Sequence, residues 1–287
     1  MATPLIFLQT VILTLCIQAI ASTGFQPHQP STRNLPPSSS SIQRFQSSTD
    51  AEPAIMNEDL NIAILGGGNV GTILAQKLQQ SNKFASITIA ARNLEKTCID
   101  VKAKGLDLDV ASMEDVLPRA QVIILATRGI YDDDELQQFA QQLEEMVSPS
   151  SSSSGIIIID ATNPLGPYEE GLPIRTWEDG MSSTEKLASY LPSSTFKVYK
   201  SFNTLGLEHM KEALGKDMMI AGDPDPMYRL IAEEVVKGVG FKPFYVGPIR
   251  YARNLEALAE MWIHMAIPGL GGRCASRNFW FSISGDP

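Results

Sequence analysis

The sequence predicts an α/β chain: a doubly wound, mostly parallel sheet covered by helices on both faces, with a small C-terminal helical extension. Solid apolar, β-branched runs recur at 60–65, 122–126 and 156–159, and stretches of helical periodicity separate them. The first strand-to-helix junction is a run of glycines, Gly66-Gly67-Gly68. A strand buried on both faces reads as an unbroken apolar run, and regular strand–helix alternation is the pattern of a parallel sheet sandwiched by helices.

Residues 60–65 predict the first strand and 69–80 a helix, with Val70, Ile73, Leu74 and Leu78 on one face. A second strand is predicted at 87–90, a helix over 93–104, a third strand at 106–110 and a short helix at 113–117. The run 122–126 reads as a buried strand, 133–146 as a polar helix, 148–154 as a serine-rich loop, and 156–160 as another buried strand. Strands at 197–202, 218–221 and 243–246 and helices at 226–239 and 255–267 complete the body.

Gly66-Gly67-Gly68-Asn69-Val70-Gly71 fits G-x-G-x-x-G, and its place between a strand and a helix gives the spacing a mechanism. Gly66 allows the tight turn, and Gly68 lets the backbone approach a pyrophosphate. Gly71 lets the helix pack closely on the strand, and the helix N-terminus turns its positive end to the phosphates. The expected fold is therefore of the Rossmann type, with a dinucleotide-binding domain over 58–200. Residues 201–287 add strands and a helix that complete the sheet and the substrate site. Sites selective for NAD place Asp or Glu about 20 residues beyond the motif, where it holds the ribose hydroxyls. Here that position is Ala91, followed by Arg92, Asn93 and Lys96, with no carboxylate at the strand end. A 2′-phosphate would meet no repulsion there, and Arg92 and Lys96 could pair with it, so NADP(H) is the expected cofactor. Its contacts are expected at Gly66, Gly67, Gly68, Asn69, Val70, Gly71, Arg92, Asn93, Lys96, Ala126 and Thr127.

Ligands of a doubly wound sheet sit beyond the carboxyl ends of its strands. The segments expected there are Thr127-Arg128, Ala161-Thr162-Asn163-Pro164 and Asn203-Thr204, which offer amides, hydroxyls and almost no acid–base equipment. That suits hydride transfer, in which a protein holds two reacting rings in contact and excludes water. Asn163, Asn203 and Thr204 are the expected positioning residues, and no catalytic acid or base is assigned. The alternative for Asn163 is a turn residue before Pro164, and for Asn203 a helix N-cap. Arg128 reads equally as a contact to an anionic substrate group or as a solvated loop residue. Arg250 and Arg253 could meet a phosphate-bearing substrate, whereas His209 and His264 read as packing residues on helices.

These motifs resemble the NADP-dependent oxidoreductases that reduce the deazaflavin coenzyme factor 420, and the related reductase domain of membrane ferric reductases. The matching segments are ILGGGNVG (64–71), ARNLEKT (91–97), DATNPL (160–165), VYKSFNTLG (198–206), AGDPDP (221–226) and GFKPFYVGP (240–248). They span almost the whole body, and Lys-x-Phe-Asn-Thr at 200–204 is the most specific. Such relatives commonly carry Ser or Thr before the strand-end Arg; Ala91 here removes one phosphate hydrogen bond. The resemblance implies hydride transfer between NADPH and a deazaflavin or flavin-type acceptor. Two other readings stand beside it. One is an imine reductase of the pyrroline-5-carboxylate type, ranked lower because that class carries a long helical C-terminal domain and little chain follows Val246. The other is a non-catalytic NADP(H)-binding sensor, since hydride transfer needs no diagnostic side chain.

Composition narrows the field further. The 287 residues carry 23 Lys and Arg against 32 Asp and Glu, a net charge of −9 without a basic cluster, which argues against a nucleic-acid partner. Cys16 lies in an apolar leader, leaving Cys98 and Cys274, and the histidines His28, His209 and His264 lie far apart. No disulfide scaffold and no metal site is expected from them. Residues 5–21 are uncharged, and small residues follow their apolar run at Ala19, Ala21 and Ser22, as in a signal peptide with cleavage after Ala21 or Gly24. From 22 to 49 there is no acid, while Arg33, Arg44 and many serines are present, as in a transit peptide. The junction Ser22-Thr23-Gly24-Phe25 resembles that of bipartite plastid leaders in algae with complex plastids. Plastid import is expected, with secretion the alternative, and no membrane span is expected after leader cleavage. A homodimer is compatible with the sequence. Arg33, Arg44, Asp50 and Glu52 are the only charges in the first 57 residues and cancel, so the −9 belongs to the body.

Overall fold

The computed structural model describes residues 59–147, 155–165, 179–266 and 277–284, with the backbone of two short strands, β6 (Tyr168–Glu169) and β7 (Leu172–Pro173). The leader and transit-like segment (1–57) and the serine-rich 148–154 lie outside the described residues. At the centre stands β1 (Asn61–Leu65), flanked by β2 (Ser86–Ala91) and β4 (Val122–Leu125). It takes that place because both its faces are apolar. Ile62 and Ile64 face one helical layer, while Ala63 and Leu65 face the other. Next come β3 (Asp109–Ser112) beyond β2, and β5 (Ile156–Asp160), β8 (Phe196–Lys200), β9 (Asp217–Gly222) and β10 (Lys242–Gly247) beyond β4. The sheet order is β10-β9-β8-β5-β4-β1-β2-β3.

One helical layer contains α1 (Asn69–Ser81) and α7 (Pro226–Val239), whose buried sides meet Ile62, Ile124, Ile159 and Tyr199. The opposite layer holds α3 (Met113–Val116), α4 (Asp133–Met146) and α5 (Ser183–Tyr190) against Leu65, Ile123, Ile158 and Val198. Helix α2 (Leu94–Ala103) follows β2, the short α6 (Leu207–Lys211) follows β8, and α8 (Ala252–Ala266) closes the C-terminal part. The fold is α/β, doubly wound and mostly parallel, as predicted.

Three details depart from the sequence reading. The third strand lies at Asp109–Ser112 rather than 106–110, paired from Thr88↔Asp109 to Ala91↔Ser112, while Leu106 and Leu108 pack on the core from the connection. β9 runs antiparallel to β8, so β9 and β10 oppose the six strands before them. A parallel crossover needs an element long enough to span the sheet, and the five-residue α6 returns the chain beside the edge it has just left. Finally, α5 escaped the apolar-periodicity reading because its sequence is short and polar. Its signal was a capping box: Ser182 accepts from Glu185 N–H, and the Glu185 carboxylate accepts from Ser182 N–H.

Register decides what meets at the carboxyl edge. Leu65 is level with Leu125, Leu125 with Asp160, and Asp160 with Lys200. The turns that follow, at Gly66, Ala126, Ala161 and Ser201, therefore begin side by side.

Candidate cofactor and hydride-transfer site

The β1–α1 turn has the shape its glycines predict. Gly66 has φ 114°, and a Cβ there would lie 2.6 Å from Ala126 O. A Cβ on Gly71 would lie 1.8 Å from Gly66 O, so the helix can start this close to the strand only without a side chain. Gly68 is the N-cap of α1 and makes no side-chain capping bond, and the first turn carries no acid. A Cβ at Gly68 would meet nothing within 4 Å. Open space beside an uncapped helix N-terminus is what a pyrophosphate requires, so the turn fits a dinucleotide.

Beside this turn opens a crevice of about 450 Å³. Its walls include Gly66, Gly67, Ala91, Arg92, Asn93, Lys96, Thr97, Thr127 and Arg128, with Met113 and Phe139 as an apolar side. Asn93 Oδ1 already caps α2 by accepting from Lys96 N–H (2.9 Å), and its Nδ2 is left to donate elsewhere. Lys96 Nζ stands 3.6 Å from Asp100 with both groups exposed, a weak pair that can exchange for a phosphate. Ala126 is buried behind Gly66, where it sets how closely the glycine turn approaches β4. Arg128 pairs with Glu135 on the first turn of α4, and both residues line the crevice.

The expected positioning residues do not line the crevice but meet beside Gly129, which follows Arg128 of its wall. Asn203 Nδ2 donates to Asn163 Oδ1 (3.1 Å) and to Leu255 O (3.1 Å), and Asn163 Nδ2 donates back to Asn203 O (3.3 Å). Asn203 Oδ1 is buried without a hydrogen-bond partner among the described residues. Thr204 is buried next to it. The N-cap alternative for Asn203 fails, since Gly206 caps α6. Asn163 does also serve a turn, its carbonyl accepting from Leu165 N–H (2.9 Å). Gly129 presses on this turn: a Cβ there would lie 1.8 Å from Asn163 O.

Several candidates are committed elsewhere. Arg253 makes two hydrogen bonds to the Glu185 carboxylate (3.1 and 2.6 Å), and Arg250 lies over the Tyr251 ring. His209 is buried, with Nε2 3.1 Å from Arg277 O and its ring against Trp280. His264 Nδ1 is buried, in line with a packing role.

Sequence reasoning missed a buried charge network directly behind the two asparagines. Lys200 Nζ lies 2.6 Å from Thr162 O, 3.0 Å from Asp160 Oδ2 and 3.1 Å from Glu256 Oε1, and is wholly buried. Burial alone would push its pKa down. Asp160, then Glu256, and the hydrogen bonds to both outweigh that and hold it above the usual lysine value. The expectation of almost no acid–base equipment is therefore corrected for the layer just beneath the site. The signal lay in Asp160 ending its predicted strand and Lys200 lying within the next, but Glu256 is 56 residues further on and its approach is a packing event.

Residues 61–164, from β1 through the Asn163 turn, match the family described as NADP oxidoreductase, coenzyme F420-dependent. This stretch is what the chain shares with that family. The match supports an NADP-dependent oxidoreductase. Among solved structures, a candidate F420-dependent NADP reductase from Arthrobacter sp. FB24 is similar over 79% of this chain and 100% of that one, with a TM-score of 0.60 and 22% identity. A hypothetical protein from Sinorhizobium meliloti is similar over 68% of this chain and 88% of that one, with a TM-score of 0.52 and 22% identity. At these identities the likeness is one of fold, and it extends past residue 164 into the strands and helix that complete the sheet.

Proposed function

We propose that this chain carries hydride between NADPH and a flat ring acceptor of the deazaflavin or flavin class. The observation that carries the reading is the crevice itself. One wall joins the open glycine turn to Arg92 and Lys96 with no carboxylate at the β2 end, and Gly129, next to Arg128 of that wall, packs on the turn whose Asn163 pairs with Asn203. Bound NADPH would supply the hydride. Gly68 and the α1 N-terminus would hold its pyrophosphate, and Arg92 with Lys96 its 2′-phosphate. Asn163, Asn203 and Thr204 would orient the reacting ring and keep water from it. Transfer from carbon to acceptor then needs alignment more than a titrating side chain.

The test is oxidation of NADPH, followed at its absorbance maximum, with deazaflavin, FMN, FAD and ferric chelates offered in turn. Turnover with a deazaflavin or flavin is expected. Tight NADPH binding without turnover on any of the four overturns this reading in favour of a binding-only protein. The first 57 residues are proposed to deliver the enzyme to a plastid. A fluorescent protein fused to them should accumulate there, and its secretion would refute the address.

A further inference from the structure

The carboxyl ends of β5 and β8 hold charges that cofactor phosphates do not use. Lys200 spends its three N–H donors on Thr162 O, Asp160 and Glu256. Asp160 accepts in addition from Thr162 N–H (2.8 Å) and from the Thr184 hydroxyl (2.6 Å), and Glu256 from the Ser183 hydroxyl (2.7 Å). Four elements meet there: β5, β8, the start of α5, and α8. Stability alone is a poor reason for such a set, because packed neutral residues commonly replace buried ion pairs with no loss.

What the charges add is direction. The ammonium on Thr162 O fixes the turn that carries Asn163. Lys200 also opens the turn that carries Asn203, which passes through Phe202 at φ 63°. A buried aromatic residue in the left-handed region persists only where its surroundings over-determine it. A cavity of about 20 Å³ bounded by Asp160, Thr162 and Ser183 also shares Thr127 and Arg128 with the crevice. The network thus abuts the site, and not only the core.

We propose that Lys200, Asp160 and Glu256 are positioning residues for hydride transfer, locking the Asn163 and Asn203 turns into one rigid wall against which the nicotinamide ring is held. The proposal rests on the function given above. It makes the network responsible for where the ring lies and leaves phosphate affinity to the crevice.

Two variants test it in the full chain. Thr184→Val removes the hydroxyl's bond to Asp160 (2.6 Å) and its longer one to Glu256 (3.4 Å) at constant volume, with Thr184→Ser as the rescue. Lys200→Met combined with Asp160→Asn and Glu256→Gln removes all three charges together, so that no lone charge is left to unfold the protein. In the triple variant the single-turnover hydride rate should fall by about 10²-fold, as for a misplaced reactant, while the Kd for NADPH stays within about threefold. Thr184→Val should fall part of the way and Thr184→Ser should recover. The fluorescence lifetime of bound NADPH, which reports how firmly the ring is held without any acceptor, should shorten in step. Variants that fold with wild-type lifetime and rate overturn the proposal, as does a loss that lies wholly in NADPH affinity. A wild-type chain with a long lifetime but no turnover would overturn the functional reading, and the lifetimes of the variants would still decide the positioning role.

Discussion

At the residue scale, selectivity and alignment are held by different groups. Arg92 stands on the crevice wall just after β2, where the proposed function puts the 2′-phosphate and a 2′-hydroxyl would leave it idle. Arg92→Ala should weaken NADPH binding by about 10- to 100-fold, the worth of a charge-assisted hydrogen bond, and leave NADH binding unchanged. Fluorescence titration with the two nucleotides checks this, and an equal loss for both would remove the 2′-phosphate role. Gly129 belongs to alignment. Its absent side chain would lie 1.8 Å from Asn163 O, so Gly129→Ala must displace that turn. A drop in kcat with little change in the KM for NADPH is the expected outcome of steady-state kinetics.

Among elements, the β1–α1 junction sets how near the helix dipole comes to the ligand. Gly71 and Gly68 carry the same residue type for opposite reasons. The space a Cβ would need is filled by backbone at Gly71 and empty at Gly68. Gly71→Ala should therefore destabilise the fold by about 1–3 kcal/mol, as overpacking does. Gly68→Val should fold normally and lose NADPH binding by filling the space that the pyrophosphate needs. Thermal unfolding separates the two cases, and equal stability losses would refute the distinction. The β8–α6–β9 connection teaches a different lesson. Apolar patterning predicts that β9 is a strand, but its direction follows from the length of the connecting helix, which patterning does not weigh.

For the whole molecule, the buried Lys200 couples stability to pH. Its folded pKa lies above the ordinary lysine value, so its contribution is intact below about pH 10.4 and is lost as pH rises toward the folded value. Tyr199, raised by its burial and then by the nearby Asp223, acts in the same direction. The thermal midpoint should be level from neutral pH to about pH 10 and fall beyond it, and less steeply in the variant without the three charges. Stability that began to fall near pH 8 would implicate other groups. Saturating NADP should raise the midpoint by mass action, and NAD at equal concentration should raise it less.

Much of this protein was legible in the sequence because its signals are local. Apolar runs name the central strands, and the spacing of Gly66, Gly68 and Gly71 names the turn. Each depends on residues within a few positions of one another, where chain geometry alone sets what is adjacent. Only the tertiary structure decided what meets at the carboxyl ends of β5 and β8. Asn163 meets Asn203, and Asp160 meets Lys200, across 40 positions, while Asn203 reaches Leu255 across 52. Those meetings are set by the register of β5 on β8 and by the docking of α5 and α8. Register and docking are outcomes of packing the whole core at once, and no local pattern encodes them.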